Sequence, residues 1–585
     1  MSDADQSKPL ASKPRELKPG EPGAASHDPT LPPIGEHRAP HSHVGLLDVE
    51  EEVDVIRLGK HDDSSAERLS IKVFSKLLWT LASFGLLLGL AYAIPLPQAQ
   101  PWRADEDYVP FWNIIGRELL GEGEDAEREA ELAANMAKRA EQAVDLEQLG
   151  PVKDRQAIAP PPTTDDQLRY PEYVAHELDT EPVQEFDNAA ALAPFYDALT
   201  RTDIGYAGAV TRVGHWGDSV LGNDGITSAI RRRMQARFGD AGHGFHALKQ
   251  YDASYRHQNV RFTEIGGVRW SSCFIRNRCL DDGHYGYGGV AVWSAGGAES
   301  EFATANKGAV GRSVSRFELF YQRRYKGGKI RVRVDGGNDR IIDTALPLPE
   351  GVDTLRPDER PESVDAWALF EVADGPHEFE IRAIGGGQAR AYGVVLERDG
   401  PGVVWDGMAL IGSFTSRLTE FDQDHLSAQL DHRELDLMVF TFGGNDMTRE
   451  DLHDTMDPYI ADYTQVIRLF RAARPEAACL IMGPVDHGER VGGRVVSREV
   501  VARMTKAQRQ VAVDNGCAFF DTYTAMGGEG AVARWKSEGL MSGDLAHPSA
   551  RGHKLLGSMI YDAVIAGYVE FREQQAGQPM QLEAN

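Results

Sequence analysis

The chain has 585 residues, 42% of them hydrophobic, which is enough to bury a sizeable core and too many for one small domain. Its 62 basic and 89 acidic residues give a formal charge of −27, which excludes a general nucleic-acid binder because phosphate neutralisation requires a basic surface. The sequence has no Cys/His spacing typical of zinc sites and no glycine-rich phosphate loop, so we expect neither a metal nor a nucleotide cofactor.

The first predicted elements are a tail and a membrane segment. Residues 1–72 are predicted to be a disordered cytoplasmic tail, since residues 1–45 are rich in Pro, Ser, Lys and Gly. Residues 73–95 form an apolar run that is long enough to cross a bilayer as one helix. Basic residues precede this run and acidic residues follow it, so the positive-inside rule predicts a single-pass inner-membrane helix with a periplasmic or extracytoplasmic remainder. The alternative is a cleaved signal peptide, because Ala91-Tyr92-Ala93 resembles a cleavage site.

Residues 96–180 are predicted to be an extracytoplasmic stalk. The stretch from Glu122 to Leu149 is charged and rich in alanine, as in an exposed helix, and it is followed by Pro160-Pro161-Pro162. The alternative is a helix that packs on the folded domain.

Three blocks of different periodicity follow. Residues 181–250 contain a predicted strand, Ala209–Trp216, and an amphipathic helix, Asp224–Phe238. Residues 251–400 alternate apolar and polar positions in short runs with Gly-rich turns, which predicts an antiparallel β-sandwich. In residues 401–572 strands alternate with helices, which predicts a parallel sheet covered on both faces, a three-layer α/β/α domain. The predicted strands of that block are Val403–Ile411, Leu435–Phe442, Ala478–Met482 and Cys517–Thr522, and the predicted helices are Thr415–Leu430, Glu450–Arg474, Arg498–Asn515 and Ser549–Phe571. The sandwich is therefore predicted to be an insertion between the first two strands of one α/β domain, and residues 573–585 a tail.

The four cysteines form two sets. Cys273 and Cys279 are close in sequence, and the sequence is compatible either with a local disulfide between them or with two free thiols. Cys479 and Cys517 fall in predicted core strands, so we expect buried thiols there.

Four short motifs supply polar groups at the ends of predicted strands. They are Gly217-Asp218-Ser219, Gly412, Gly443-Gly444-Asn445-Asp446 and Asp544-Leu545-Ala546-His547-Pro548. The third motif has a duplicate, Gly336-Gly337-Asn338-Asp339, but that copy separates two alternating runs and predicts a hairpin turn. The copy at Gly443 follows an apolar strand and precedes a helix, which is where α/β proteins place their sites.

These residue types fit acyl transfer. A serine hydroxyl is a weak nucleophile without a neighbouring base, so Ser219 requires a partner such as His547. Asp544, three residues before His547, can bond the far ring nitrogen and orient the imidazole. Each residue alone is more simply explained as a helix cap, a turn residue or a surface histidine, whereas the four motifs in this order favour catalysis. Asp218 and Asp446 are predicted to hold loops.

The motif set resembles the SGNH, or GDSL, hydrolase superfamily. The run His215-Trp216-Gly217-Asp218-Ser219 with the later Arg237–Phe245 is similar to a periplasmic subgroup that includes peptidoglycan O-acetylesterases, some with a carbohydrate-binding-like insert. The resemblance implies an oxyanion hole formed by the backbone N–H groups of Ser219 and Gly412 and the side-chain amide of Asn445. Gly242 and Gly244 are rivals of Gly412.

The resemblance implies a serine esterase that uses no cofactor, and the apolar run at residues 73–95 predicts that this esterase is anchored in the membrane. It would remove O-acyl groups, mainly O-acetyl, from a cell-wall or extracellular polysaccharide such as peptidoglycan, with that polysaccharide and the membrane as its partners. One alternative is a polysaccharide O-acetyltransferase with the same catalytic residues. Another is a non-catalytic glycan-binding protein that uses the sandwich, whose aromatic residues either stack on sugars or pack in the core. Those aromatics include Trp270, Tyr285, Tyr287 and Trp293.

Overall fold

The computed structural model of the protein describes residues 76, 78–80, 82–85, 134–141, 169–352 and 354–580. The chain divides into two compact units, Met1–Val109 and Pro110–Asn585, and the strands lie in the second. Most of the predicted tail, membrane segment and stalk lies outside the described residues. Within the part of the chain that is described, no helix has both the length and the apolar character needed to span a bilayer.

Strands in the described residues are numbered in chain order. They are β1 (Val210–Gly217), β2 (Gly242–Ala247), β3 (Val260–Ile265), β4 (Ser271–Phe274), β5 (Val290–Ser294), β6 (Glu299–Thr304), β7 (Val314–Arg323), β8 (Lys329–Val334), β9 (Arg340–Asp343), β10 (Val364–Gly375), β11 (Glu378–Gly385), β12 (Ala389–Glu397), β13 (Gly402–Ala409), β14 (Leu437–Thr441), β15 (Ala478–Met482), β16 (Gly488–Val491), β17 (Arg494–Ser497) and β18 (Ala518–Phe520).

The α-helices that follow residue 169 are numbered in the same way. They are α1 (Ala193–Asp203), α2 (Gly225–Phe238), α3 (Gln423–Arg433), α4 (Asp457–Ala473), α5 (Glu499–Asp514), α6 (Thr522–Ala525), α7 (Ala531–Ser537) and α8 (Ala550–Gln575).

A five-stranded parallel sheet organises the α/β part, in the order β13-β1-β14-β15-β18. The side chains of successive residues in each strand belong to two different hydrophobic cores. On β1, for example, Val213 belongs to a core that includes residues of helices α1, α2 and α8, whereas Trp216 stacks on Phe440 and contacts Phe470 of α4. Because side chains alternate across a strand, the two cores lie on opposite faces of the sheet. This confirms the predicted α/β fold with a parallel sheet covered on both faces.

All the antiparallel strands from β2 to β12 lie in the chain between β1 and β13. They form two sheets, one with the order β10-β7-β12-β5-β4 and the other with the order β3-β6-β11-β8-β9. Strand β2 pairs with β12, so Gly242–Ala247 joins the antiparallel part even though it follows the first α/β helix directly. The duplicate Gly-Gly-Asn-Asp connects the antiparallel strands β8 and β9, which confirms the predicted hairpin turn.

The aromatic residues of this antiparallel part are mainly core residues. Trp270, Tyr285 and Tyr287 are fully buried, and the indole N–H of Trp270 donates to Ser300. Trp293 is half-buried. Core packing therefore explains three of the four residues.

A buried carboxylate cluster joins the antiparallel part to the parallel sheet. Asp406 on β13 accepts hydrogen bonds from the Arg433 guanidinium at 2.8 Å, the Tyr287 hydroxyl at 2.8 Å and the Phe245 amide at 2.8 Å. Arg433 also pairs with Glu397 at the end of β12. Since a buried charge is costly without its partners, the cluster holds β2, β12 and β13 in one fixed arrangement.

Two predicted helices differ at their starts. The predicted helix Thr415–Leu430 is divided into a 3-10 turn, Thr415–Glu420, and α3, because the Asp422 side chain caps a new helix by accepting the His425 amide hydrogen. Helix α4 starts at Asp457 instead of Glu450, because Pro458 is tolerated only in the first turn of a helix.

Residues 134–141, within the predicted stalk, form a helix with Met136 and Ala140 buried. The indole nitrogen of Trp535 on α7 lies 3.1 Å from the Met136 sulfur. This segment therefore packs on the folded unit, which is the alternative that the sequence left open.

Both cysteine pairs form disulfides. Cys273 bonds to Cys279 beside β4, and Cys479 on β15 bonds to Cys517 just before β18. The expectation of buried thiols at Cys479 and Cys517 was therefore wrong. The reason is the strand order, since β15 and β18 are neighbours and Leu480 lies opposite Ala518, which places the preceding residues side by side.

Candidate active site

Ser219 lies at the carboxyl end of β1, where the strand order reverses. The chain passes from β1 to β13 on one side and then to β14 on the other, and such a switch point opens a crevice in an α/β sheet. The Asp218 side chain accepts the Val220 amide hydrogen at 3.0 Å, which fixes the turn that begins at Ser219.

A chain of hydrogen bonds links three predicted residues. The Ser219 hydroxyl lies 2.7 Å from Nε2 of His547, and Nδ1 of His547 lies 2.8 Å from Oδ2 of Asp544. With the Nδ1 proton donated to the carboxylate, Nε2 is free to accept the serine proton. The structure thus brings together the predicted nucleophile, base and carboxylate, which come from opposite ends of the α/β part.

The local loop keeps Asp544 ionised. Partial burial opposes ionisation, but hydrogen bonds from the Ala546 amide, the His547 ring and amide, and the Ser542 hydroxyl hold the pKa of Asp544 well below its usual value. Its side chain is 52% exposed, so water screens its charge strongly. Asp544 therefore acts mainly by orienting the imidazole.

Asp218 and Asp446 are buried and hold the loops around the nucleophile. Asp218 accepts the Gly444 amide hydrogen at 3.1 Å, so it joins the serine turn to the loop after β14. Burial raises the pKa of Asp218, and it raises the pKa of Asp446 to about 6, against the hydrogen bonds that Asp446 receives from Thr415. Both carboxyl groups face protein donors, as expected for loop-holding residues.

The predicted oxyanion donors differ in how closely they approach the nucleophile. Ser219 and Asn445 line one cavity together with His547, and the Asn445 amide donates one hydrogen to the Ser413 carbonyl at 3.1 Å. That bond orients Asn445 and leaves its second N–H for another acceptor. Gly412, at φ 72°, lies in the adjoining loop before Ser413 but is not among the described residues that line the cavity. Its assignment stays a prediction, while its rivals Gly242 and Gly244 lie on β2.

The cavity at Ser219 has a volume of about 210 Å³. Pockets for drug-sized ligands are usually about 300–1,000 Å³, so this one suits a small group. Two of its lining residues, His487 and Arg498, come from either end of the β16–β17 hairpin. Arg498 was not predicted from the sequence as a site residue. No local motif marks Arg498, because it reaches the site only through the fold of that hairpin.

The other histidines of the α/β part have structural surroundings. His215 is fully buried, bonds the Thr441 hydroxyl at 2.7 Å and has its pKa lowered to about 3 by burial. His243 and His246 lie on β2 and pack with His257, and none of these three histidines is among the described residues that line the cavity.

Part of the chain matches the model of a known protein family. A model of the GDSL-like lipase/acylhydrolase family matches residues 381–555, a range that contains Gly412, Asn445, Asp544 and His547. Ser219 precedes that range because the antiparallel strands separate it from the rest of the domain. The chain carries an SGNH-type hydrolase domain.

Solved structures give a likeness in fold. A peptidoglycan O-acetylesterase structure has a TM-score of 0.52 and 20% identity, covering 66% of this chain and 97% of that chain. An acetyl xylan esterase (AlAXEase) covers 28% of this chain and 80% of that chain at 19% identity, with a TM-score of 0.22. A family two carbohydrate esterase from Cellvibrio japonicus covers 53% of this chain and 98% of that chain at 11% identity, with a TM-score of 0.20. No curated protein matches the chain. The family model supports an SGNH-type acylhydrolase domain, and the peptidoglycan O-acetylesterase structure supports the same fold.

Proposed function

We propose that the hydrolase domain removes O-acetyl groups from a cell-wall or extracellular polysaccharide, with peptidoglycan as the leading substrate. The observation that carries this proposal is the hydrogen-bonded series of Ser219, His547 and Asp544 on the wall of a small cavity. His547 takes the proton of the Ser219 hydroxyl as its oxygen attacks the ester carbonyl, and then returns it to the departing sugar oxygen. His547 then takes a proton from a water molecule as the water attacks the acyl-serine, and it returns the proton to the Ser219 oxygen as the acyl bond breaks and acetate leaves.

Two observations support the substrate class. The cavity of about 210 Å³ has room for an acetyl group next to part of a sugar ring and little room for a long acyl chain. The fold is similar, over most of its length, to a peptidoglycan O-acetylesterase.

We also propose that the domain is anchored by residues 73–95 and works outside the cytoplasm. The support is the apolar run in the sequence and the pair of disulfides, because disulfides persist in oxidising compartments. Alkylation of an introduced cysteine in intact cells and in lysed cells would locate the domain, and labelling only after lysis would contradict this placement.

The catalytic part is tested with Ser219→Ala. We expect hydrolysis of 4-nitrophenyl acetate to fall to the background rate while the thermal unfolding midpoint stays that of the wild type. Ser228→Ala on α2 is a control for the loss of a buried hydroxyl, because Ser228 is not among the described residues that line the cavity. Undiminished hydrolysis by Ser219→Ala would exclude the proposed nucleophile.

The substrate part is tested by measuring acetate release from O-acetylated peptidoglycan and from acetylated xylan under the same conditions. Faster release from peptidoglycan is expected. Acetate that appears on an added glycan, instead of in solution, would point to transfer in place of hydrolysis.

A further inference from the structure

The segment from His487 to Arg498 contributes its two end residues to the wall of the cavity. It consists of the β16–β17 hairpin, and the Arg498 amide donates to the His487 carbonyl at 2.8 Å, which closes the base of the hairpin. The Gly488 amide donates to the Leu545 carbonyl at 2.7 Å, so the hairpin is also joined to the loop that carries Asp544 and His547. Arg498 is thereby held in a fixed position relative to the base.

The positive charge of Arg498 is not paired with a carboxylate among the described residues. Its guanidinium donates to the Met447 carbonyl at 3.3 Å, and no carboxylate among the described residues lies within ion-pair distance of it. A carbonyl satisfies one of the five N–H donors of an arginine and none of its charge. The side chain is half-buried, where an unpaired cation gains more from an anion than it would in open water.

The remaining groups of the cavity do not neutralise Arg498. The lining contains one carboxylate, Asp218, whose oxygens accept the amides of Val220 and Gly444. Burial, with smaller contributions from the charges of His547 and Arg498, lowers the pKa of His487 to about 4, so that ring is neutral at neutral pH. Arg498 is therefore the permanent cation of the described cavity wall.

We propose that Arg498 binds a carboxylate of the substrate and selects acidic acetylated glycans over neutral ones. This inference rests on the proposed esterase function. Arginine matches a carboxylate with two parallel N–H donors, which gives both attraction and orientation. The carboxylate belongs to a sugar acid or to a peptide attached to the sugar, and in both cases it lies beside the ester held at Ser219.

The test compares three acetylated substrates with the wild type, Arg498→Gln and Arg498→Lys. The substrates are a neutral xylo-oligosaccharide, a uronic-acid oligosaccharide and a muropeptide that retains its stem peptide. For Arg498→Gln, we expect the ratio of kcat/KM on a carboxylate-bearing substrate to kcat/KM on the neutral one to fall about 10- to 100-fold, as is typical when a hydrogen bond between charged groups is lost. Arg498→Lys should retain part of that ratio. The substrate that shows the fall identifies the source of the carboxylate.

Arg494→Gln is the matched control, because Arg494 lies on the same hairpin, is exposed and is not among the cavity residues. It should leave the ratio unchanged. An equal loss on all three substrates, or an unchanged ratio in Arg498→Gln, would overturn the assignment. If the wild type hydrolyses no acetate ester at all, the proposed function itself fails, and this inference fails with it.

Discussion

The disulfide between Cys479 and Cys517 should stabilise the hydrolase domain more than the one between Cys273 and Cys279. The first closes a loop of 38 residues and the second a loop of 6. In the chain-entropy model, a crosslink removes freedom from the unfolded chain in proportion to the logarithm of loop length, which gives about 4 kcal/mol for the longer loop and about 2 kcal/mol for the shorter one.

Each crosslink can be measured in the absence of the other. In Cys273→Ala/Cys279→Ala the effect of dithiothreitol on the free energy of unfolding reports the 479–517 bond alone. In Cys479→Ala/Cys517→Ala it reports the 273–279 bond alone. Because each comparison is made within one variant, the loss of the deleted sulfur atoms cancels. We expect urea unfolding curves to shift by about twice as much in the first variant as in the second.

This design also tests the pairing itself. If dithiothreitol has no effect on the unfolding of Cys273→Ala/Cys279→Ala, then Cys479 and Cys517 are thiols. Equal shifts in the two variants would refute the argument from loop length, since the two loops differ in length.

Two further substitutions test a predicted oxyanion donor, Asn445, and a carboxyl group that holds a loop, Asp446. Asn445→Ala should lower kcat about 10²- to 10³-fold with little change in the unfolding midpoint, because it removes one predicted oxyanion donor. The control Asn338→Ala, in the exposed duplicate of the same motif, should leave kcat unchanged. Similar kcat values for the two variants would exclude Asn445 from the oxyanion hole. The free energy of unfolding of Asp446→Asn should rise relative to that of the wild type between about pH 4 and pH 7, by up to about 3 kcal/mol in urea unfolding. A difference that does not change with pH would contradict a buried, protonated carboxyl group at Asp446. The sign follows from the raised pKa: the unfolded chain releases the Asp446 proton from about pH 4, the folded chain only from about pH 6, so rising pH favours the unfolded wild type, and asparagine cannot ionise.

Most of the α/β core was predictable because its signals are local. An apolar strand followed by polar residues and then by an amphipathic helix has one natural arrangement in a parallel sheet. Local context also distinguishes Asn445 from Asn338, since Asn445 follows a continuous apolar strand and Asn338 lies between two alternating strands. His547 and Asp544 were recognisable as a pair because they are three residues apart on one loop.

Helix starts were less predictable, because capping competes with hydrophobic periodicity. The pattern from Thr415 to Leu430 reads as one helix, yet Asp422 ends one turn and caps the next. The length of a periodic run therefore overestimates a helix wherever a capping side chain or a proline lies within it.

Sequence alone identified the serine, the histidine and the carboxylate that the structure joins by hydrogen bonds on an α/β framework, because the roughly ten positions around each of these residues indicate where it lies in the fold. Tertiary structure alone decided which distant groups meet. Strand order paired Cys479 with Cys517, and the closed base of a hairpin brought Arg498 to the wall of the cavity. Such contacts depend on strand neighbours and loop paths far apart in the chain, and no local pattern of residues encodes them.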